Sequence, residues 1–470
     1  MAERLEPRLY PYHGGDLPEA QAQIAAIPTA FPHRWRWWWM TIAAAAATVM
    51  LLIAIGATFS EGIGLWGNNA PNYWGMAIMN YVWWIGIGNA GTMISALLLL
   101  LGRGWRNSLN RMAETMTVFA VACAGLFPII HLGRPGFVMY VFPYPNTQDL
   151  WPQFRSPLFM DVTAVFSYLL VSVIFWYVGL LPDLAAMRDR APTRRWQVFY
   201  GLLALGWRNS ARHWDTWWNV YKGCAILAVP LVISVHSGVG LLFAMGPQAG
   251  WHTTLFPPFF VIGALYSGFA VVAMLATTLR HAFGLHALVT ERHLDILGKV
   301  LLATALMTGY GYVMEAFTQW WSGDPFERNT LMDRFVGEYA WLWWTTIVCN
   351  LVLIQLLWFK PFRVRPVLLF AMGVVGTVGM WFERYMLLIT TTYRPFISAE
   401  DGPYVATAWE WMILGGTIGL FLFGYLLFVR LLPMISGFEA KETIAEMARK
   451  RGETVGAAGP HSPASGRTMP

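Results

Sequence analysis

In the stretch GLFPIIHLGRPG, residues 125–136, an apolar run ends on His131, with Arg134, a proline and a glycine close behind. Other titratable residues share this setting. Asp161 stands in SPLFMDVTAVFSY, His236 in ISVHSGVG, Glu315 in GYVMEAF, Glu383 and Arg384 in MWFERYMLLI, and Arg394 in TTTYRPF. An ionisable side chain in hydrocarbon costs ~2.5–3.5 kcal/mol on insertion scales unless it is paired or hydrated. His131, Arg134, Asp161 and Arg394 fall at one membrane level. There, a histidine and a carboxylate at an apolar cleft suit a quinol. The cleft takes the apolar tail, and the two hydroxyls must lose protons as electrons leave. Histidine accepts one proton near its ordinary pKa. A carboxylate beside it orients the ring and stabilises the imidazolium. An arginine hydrogen-bonds the quinone oxygen or pairs with Asp161. Plainer roles compete with these. Arg134 fits a snorkelling interfacial anchor, Arg394 a loop cation, His131 a helix cap and Asp161 a first-turn acid favoured by the helix dipole. Glu383–Arg384 fits a structural ion pair with the other bundle, and His236 a donor to a neighbouring carbonyl. Asn89 fits helix–helix glue.

The elements that must position these residues are membrane helices. Of 470 residues, 56% are hydrophobic and 12% charged, with a mean hydropathy of +0.46; soluble chains carry roughly 25% charged residues. A net charge of +6 would suit nucleic acid, but the positive residues lie in short loops between apolar runs, so topology accounts for them. Ten stretches are long enough to span: about 40–58, 77–101, 113–131, 158–181, 223–243, 256–279, 297–320, 338–358, 367–389 and 409–431. Loops 102–112, 182–222, 280–296 and 359–366 and the tail carry the arginines and lysines, whereas loops 59–76, 244–255, 321–337 and 390–408 are neutral or acidic. The positive-inside rule places the first set and both termini in the cytoplasm, as an even span count requires. The deep charges then lie in the outer half, and the inner half holds little beyond Glu114 and Lys299 at helix starts. No acidic ladder crosses the bilayer, which argues against a simple proton channel or a voltage sensor.

Cys123, Cys224 and Cys349 are far apart and lack C-x-x-C spacing. That argues against an iron–sulfur cluster, a structural zinc or a c-type haem held by this chain alone. A bundle haem on His131 and His236 would have Asp161 and Arg134 as poor company. The N-terminal stretch is polar with prolines and shows no signal-peptide core. The expected fold is all-α and membrane-integral, with about ten transmembrane helices. WWIGIGNAGTMISALLLLLGRGWR and FFVIGALYSGFAVVAMLATTLRHAFG each run from aromatics through small residues and aliphatics to an arginine. This suggests two parallel-repeat four-helix bundles, 76–243 and 256–389, plus two peripheral helices. The remainder divides into an interfacial or cytoplasmic segment 1–38, a first helix with its outer loop 39–75, a last helix 409–431 and a partly disordered tail 432–470.

WWIGIGNAGTMISALLLLL, FPIIHLGRPG with SPLFMD, and MWFERYMLLI resemble the NrfD-like family of polysulfide reductase membrane subunits, over roughly residues 75–430. Ten spans and the long 182–222 loop resemble, within it, the larger quinol-oxidising membrane subunit of bacterial alternative complex III. One departure is Asn89, where many members carry histidine, so no proton role falls on it. The resemblance implies a quinone or menaquinone site at His131, Asp161 and Arg394, and proton transfer through His236, Glu315, Glu383 and Arg384. It implies an outer iron–sulfur or molybdoenzyme-like subunit, multihaem cytochrome c subunits and a second NrfD-like subunit as partners, in a bacterial cytoplasmic membrane. Redox centres would then belong to the partners, not to this chain. The competing readings are a quinone-reducing anchor of a molybdenum enzyme, a proton-coupled transporter and a purely structural scaffold.

Overall fold

The computed structural model describes residues 28, 34–69, 72–102, 104–134, 136–138, 157–286, 288–392 and 403–437. Arg394 and most of segments 1–38 and 432–470 lie outside the described residues. The described chain is helical throughout. In order come α1 Arg34–Glu61, α2 Gly75–Thr92, α3 Asn110–Ile130, α4 Pro157–Arg190, α5 Arg194–Leu203 and α6 Ala211–Ala244. There follow α7 Phe256–Ala282, α8 Glu291–Trp321, α9 Pro325–Val336, α10 Ala340–Ile347, α11 Lys360–Val364, α12 Pro366–Ile389 and α13 Ala408–Leu431. Helix α2 continues through a π turn, Met93–Leu97, and α10 through a π turn, Val348–Val352, and a 3-10 stretch, Leu353–Trp358. Ten helices among the described residues are long and apolar enough to cross a membrane: all but α5, α9 and α11. The chain is a multi-pass integral membrane protein.

Two helices are longer than their hydropathy suggests. Residues 182–222, expected as a loop, contain the end of α4, all of α5 and the start of α6. Interfacial aromatics explain the extension of α6. Trp217 and Tyr221 lie one turn apart and stack at 5.2 Å, and the Trp217 indole donates to the Val178 carbonyl at 2.7 Å. Tyr221 stacks in turn on Phe175 of α4 at 4.8 Å. The helix is carried by polar-tipped aromatics with apolar bodies, which a hydropathy window scores poorly.

Helices α2, α3, α4 and α6 form one ring of neighbours, and α7, α8, α10 and α12 a second in the same cyclic order. The rings meet where α2 and α6 lie against α7 and where α2 lies against α12, and the α2–α7 contact runs through small residues. A Cβ on Gly268 would stand 2.3 Å from the Ala90 Cβ and 2.8 Å from the Ile87 carbonyl, so the backbones are already in contact there. Lipid tails give no hydrophobic drive to helix association, and close backbone packing supplies it instead. Helices α1 and α13 pair outside the rings, with Gly416 and Gly419 against Leu51 and Ala47. Buried Glu410 opens α13 and ties it to α2: its carboxylate accepts from Gly67 N at 2.8 Å, Met76 N at 3.0 Å, Thr407 N at 3.0 Å and the Tyr404 hydroxyl.

Overpacking of a close contact costs ~1–3 kcal/mol. Gly268→Val should therefore lower the melting temperature and the monodisperse yield in detergent. Gly238→Ala on α6, with nothing within 4 Å of its added Cβ, should leave both nearly unchanged. Equal behaviour of the two variants would show that the seam is not tightly packed.

Candidate functional site

The end of the molecule away from the arginine-rich connections is called the outer end. Helix α3 stops there at His131, whose backbone N–H donates to the Phe127 carbonyl at 2.8 Å. Gly133 follows with φ +65°, a left-handed conformation that reverses the chain. A Cβ there would come within 3.2 Å of the Ile63 backbone nitrogen, so this turn needs glycine twice over. The imidazole is buried in an aromatic box. Trp74 stacks on it at 5.3 Å, while Phe127, Trp66 and Tyr81 lie at 5.9, 6.2 and 6.3 Å. On its far side the Tyr81 hydroxyl faces the Asp161 carboxyl, which enters from the first turns of α4. Neither group closes a full hydrogen bond: the Tyr81 hydroxyl, Asp161 Oδ1, His131 Nε2 and Trp66 Nε1 are all buried without a partner.

His131 and Asp161 are thus brought together around Tyr81. Arg134 stands outside the box, exposed to the surroundings. Four polar atoms without partners inside flat aromatic walls match the head of a quinol, which offers two hydroxyls and a planar ring. Tyr81, Trp66 and Trp74 escape a search for titratable residues. Their only signal is a run of aromatics at the helix entry, which reads equally well as an interfacial belt.

The second ring holds a different polar set. Glu315 on α8 pairs with Arg334 on α9 at 2.7 Å, and both are 1% exposed. Arg334 also donates to Thr391 at 2.8 Å. Glu383 and Arg384 pair at 3.3 Å on α12, with the guanidinium 4.5 Å over the Phe260 ring. Gly263 leaves room for that guanidinium, since a Cβ there would meet it at 3.1 Å. His236 joins this set from α6 of the first ring; it is buried with neither ring nitrogen partnered, and Arg384 is the charge that acts on it. Glu315 Oε2, Gln319 Oε1, Arg334 Nε, Glu383 Oε2, the Tyr266 hydroxyl and Asn350 Oδ1 are likewise unpartnered. So many under-satisfied buried groups call for internal water. Arg334 lies in a connection that reads as neutral or acidic, so the charge pattern hides it. Beside it on α9, burial holds the Glu327 carboxyl above its ordinary pKa, opposed by a hydrogen bond from the Gly250 backbone.

Two expectations need correction. The carbonyl contact expected of His236 and the helix–helix bond expected of Asn89 are both absent, since neither side chain has a hydrogen-bond partner. The oxygen beside Asn89, at Gly88, is taken instead by Tyr168 at 2.8 Å and Thr117 at 2.7 Å. Nor is the inner half free of buried charge. Arg111 is 2% exposed, pairs with Asp183 at 2.9 Å and donates to Gly179 O at 2.8 Å. Buried Glu114 accepts from Tyr221 at 2.9 Å and from Ser95 in the π turn. Arg111 and Asp183 look like loop residues in the sequence, because the pairing that lets them enter the helical region joins residues far apart in the chain.

Among the described residues, no three His, Cys, Asp or Glu side chains gather as a metal site requires. The profile of the family described as polysulphide reductase, NrfD, matches residues 64–395. The chain belongs to the NrfD family. That match takes in His131, Asp161 and every polar residue of the second ring, and stops before α13. Over 344 residues the NrfD chain is 27% identical to a Halobacterium salinarum protein named as a candidate membrane subunit of a dimethyl sulfoxide reductase, covering 72% of this chain and 73% of that one. It is 21% identical over 403 residues to a selenate reductase subunit of Mesobacillus selenatarsenatis, covering 82% and 91%. Both relatives bear reductase names. The finer likeness to the membrane subunit of alternative complex III gains nothing specific from either.

Removing one partner of a buried ion pair costs ~3–5 kcal/mol because the other charge is left uncompensated. Glu315→Gln should therefore destabilise the protein strongly in a detergent thermal-unfolding assay, and adding Arg334→Met should recover much of the loss. A double variant no better than the single one would mean that Glu315 and Arg334 are not coupled.

Proposed function

We propose that this NrfD subunit is the quinol-handling membrane subunit of a multisubunit respiratory reductase, seated in a bacterial cytoplasmic membrane with both termini inside. The carrying observation is the aromatic box in which His131, Tyr81 and Asp161 present partnerless polar atoms. The reductase names of the two relatives support the partner class, a molybdoenzyme-like reductase reached through an outer iron–sulfur subunit. They favour an anchor of that kind over the alternative-complex assignment with its multihaem cytochromes and second NrfD-like subunit. A reductase consumes electrons, so its membrane subunit oxidises quinol. The opposite direction, quinone reduction, would use the same side chains.

In this reading the two indoles and Tyr81 clamp the quinol ring, and its tail leaves between the helices into lipid. Oxidation of one quinol to quinone releases two electrons and two protons. The electrons pass to the iron–sulfur partner. His131 Nε2 takes one proton directly, and Asp161 takes the other, with the Tyr81 hydroxyl between them to orient both groups. Arg134, exposed outside the box, is assigned to quinone binding at its rim, and Arg394 keeps the quinone-binding role that the family resemblance implies. His236, Glu315, Glu383 and Arg384 are assigned to proton transfer: their partnerless atoms suit a chain of internal waters. Asn89 is given no proton role.

The test is quinol-dependent reduction of the assembled complex. His131→Ala and Asp161→Asn should each lower turnover by roughly 10²-fold or more, the usual scale for a positioned acid–base group. Tyr81→Phe, which removes only the hydroxyl, should give a smaller loss. All three variants should retain their partner subunits on purification. Turnover near wild type in the first two, with quinol as donor, would remove the box from the mechanism.

A further inference from the structure

A groove of about 570 Å³ lies at the inner end, between α1, α7 and α13, on the far side of the molecule from both polar sets. Its walls are mainly aliphatic, with Ala43, Ala47, Leu275, Ile418 and Leu422. Arg36 and His281 stand at its inner mouth, with Trp37 beside them. Both are exposed, and among the described residues neither forms an ion pair. The Arg36 guanidinium sits 5.3 Å over the Trp35 ring, at the level where aromatic belts mark the interface. The lining runs from Arg36 to Ala47 on α1 and from Gly415 to Val429 on α13. At ~1.5 Å per residue that is ~17–21 Å, which is one leaflet's share of a ~30 Å core plus its interface. The groove is open along one side, where Met40, Ile418 and Leu422 are exposed.

We infer that this groove binds an anionic phospholipid of the inner leaflet, with an acyl chain along Ala43, Leu275 and Leu422 and the phosphate held by Arg36 and His281. The occupant follows from three matches. The length is that of one leaflet's chain, the walls are apolar over nearly all of that length, with Thr278 and Tyr425 as the exceptions, and the unpaired positive charge sits only where a headgroup would be. Arg36 supplies a permanent charge and His281 a ring donor, and both suit phosphate. Which leaflet is meant rests on the orientation proposed above, whereas the preference for an anion does not.

The full-length protein, purified in its complex and delipidated in mild detergent, is titrated with dioleoyl phosphatidylglycerol or dioleoyl phosphatidylcholine and read by native mass spectrometry. Phosphatidylglycerol should be retained in preference. Arg36→Ala with His281→Ala should weaken that retention roughly tenfold and barely change phosphatidylcholine. Both replaced side chains are exposed, so the fold should survive, and an unchanged melting temperature checks it. Ala43→Trp, which fills the groove without touching the cations, should lower retention of both lipids. A photoreactive residue at position 43 should crosslink to lipid. Equal retention of the two lipids, retention unaffected by the double variant, or a crosslink to a partner polypeptide instead of lipid would each overturn the inference. Because turnover enters none of these readouts, failure here leaves the quinol assignment standing, and the reverse holds too.

Discussion

A charge inside a bilayer core is tolerated where an opposite charge or a polar network replaces the water it has lost. Wherever such a pair forms, it fixes the helices that carry it. Arg111 and Asp183 tie α3 to α4 at the inner end. Glu315 and Arg334 tie α8 to α9, and Arg334 reaches on to Thr391 just past α12. Glu410 gathers three backbone N–H groups and a tyrosine hydroxyl, and so joins α13 to the entry of α2. None of these contacts is local in sequence except the Thr407 and Tyr404 bonds to Glu410. Together they limit how the helices can slide or rotate, which apolar contacts in lipid do weakly.

Helix α2 is where these constraints converge. It is buried along almost its whole length, pressed on α7 through small residues and on α3 through Gly88 and Gly91. Its outer turns carry Tyr81 between His131 and Asp161, its middle offers the Gly88 carbonyl to Tyr168 and Thr117, and its π turn presents Ser95 to Glu114. Under the proposed function Tyr81 sits between two proton acceptors, and such a residue is best held by the element least free to move. The π turn widens the helix locally and leaves backbone groups out of the regular ladder, a device common where a helix bends to serve a site.

Ten spans and their apolar lengths were legible in the sequence, since hydropathy over a span is a strong signal. The ends were less so. The run HWDTWWNVYKG belongs to α6 because its aromatics pack on α4, information held in Phe175 and Val178 rather than in the run itself. At the site, His131 and Asp161 could be picked out because titratable groups in apolar runs are rare. Tyr81, Trp66 and Trp74 could not, because aromatics near a helix entry are common in any membrane protein. Arg334, Arg111 and Asp183 were hidden for a related reason. A charge beside an interface looks like a loop charge until its partner, distant in the chain, shows it to be buried. Arg394 lies outside the described residues, so its expected place at the site has no structural counterpart.

The two polar sets differ in a way that bears on which one suits the redox carrier. In the second ring the two fully buried carboxylates each have a guanidinium: Glu315 has Arg334 and Glu383 has Arg384. Such a set is close to electroneutral, and its spare lone pairs can order water without any group having to change charge. Asp161 has no arginine beside it among the described residues; its neighbour is the Tyr81 hydroxyl, which can only share a proton. His131 is likewise faced by aromatic rings and not by an acid. A neutral quinol can enter such a box without displacing a salt bridge. Under the proposed function, once its protons move the imidazolium is stabilised by the faces of the surrounding aromatic rings, and the protonated Asp161 adds no second charge to the box. On that proposal the two acceptors thus have no fixed cation beside them among the described residues, whereas the buried arginines of the second set, Arg334 and Arg384, are each already paired with a carboxylate.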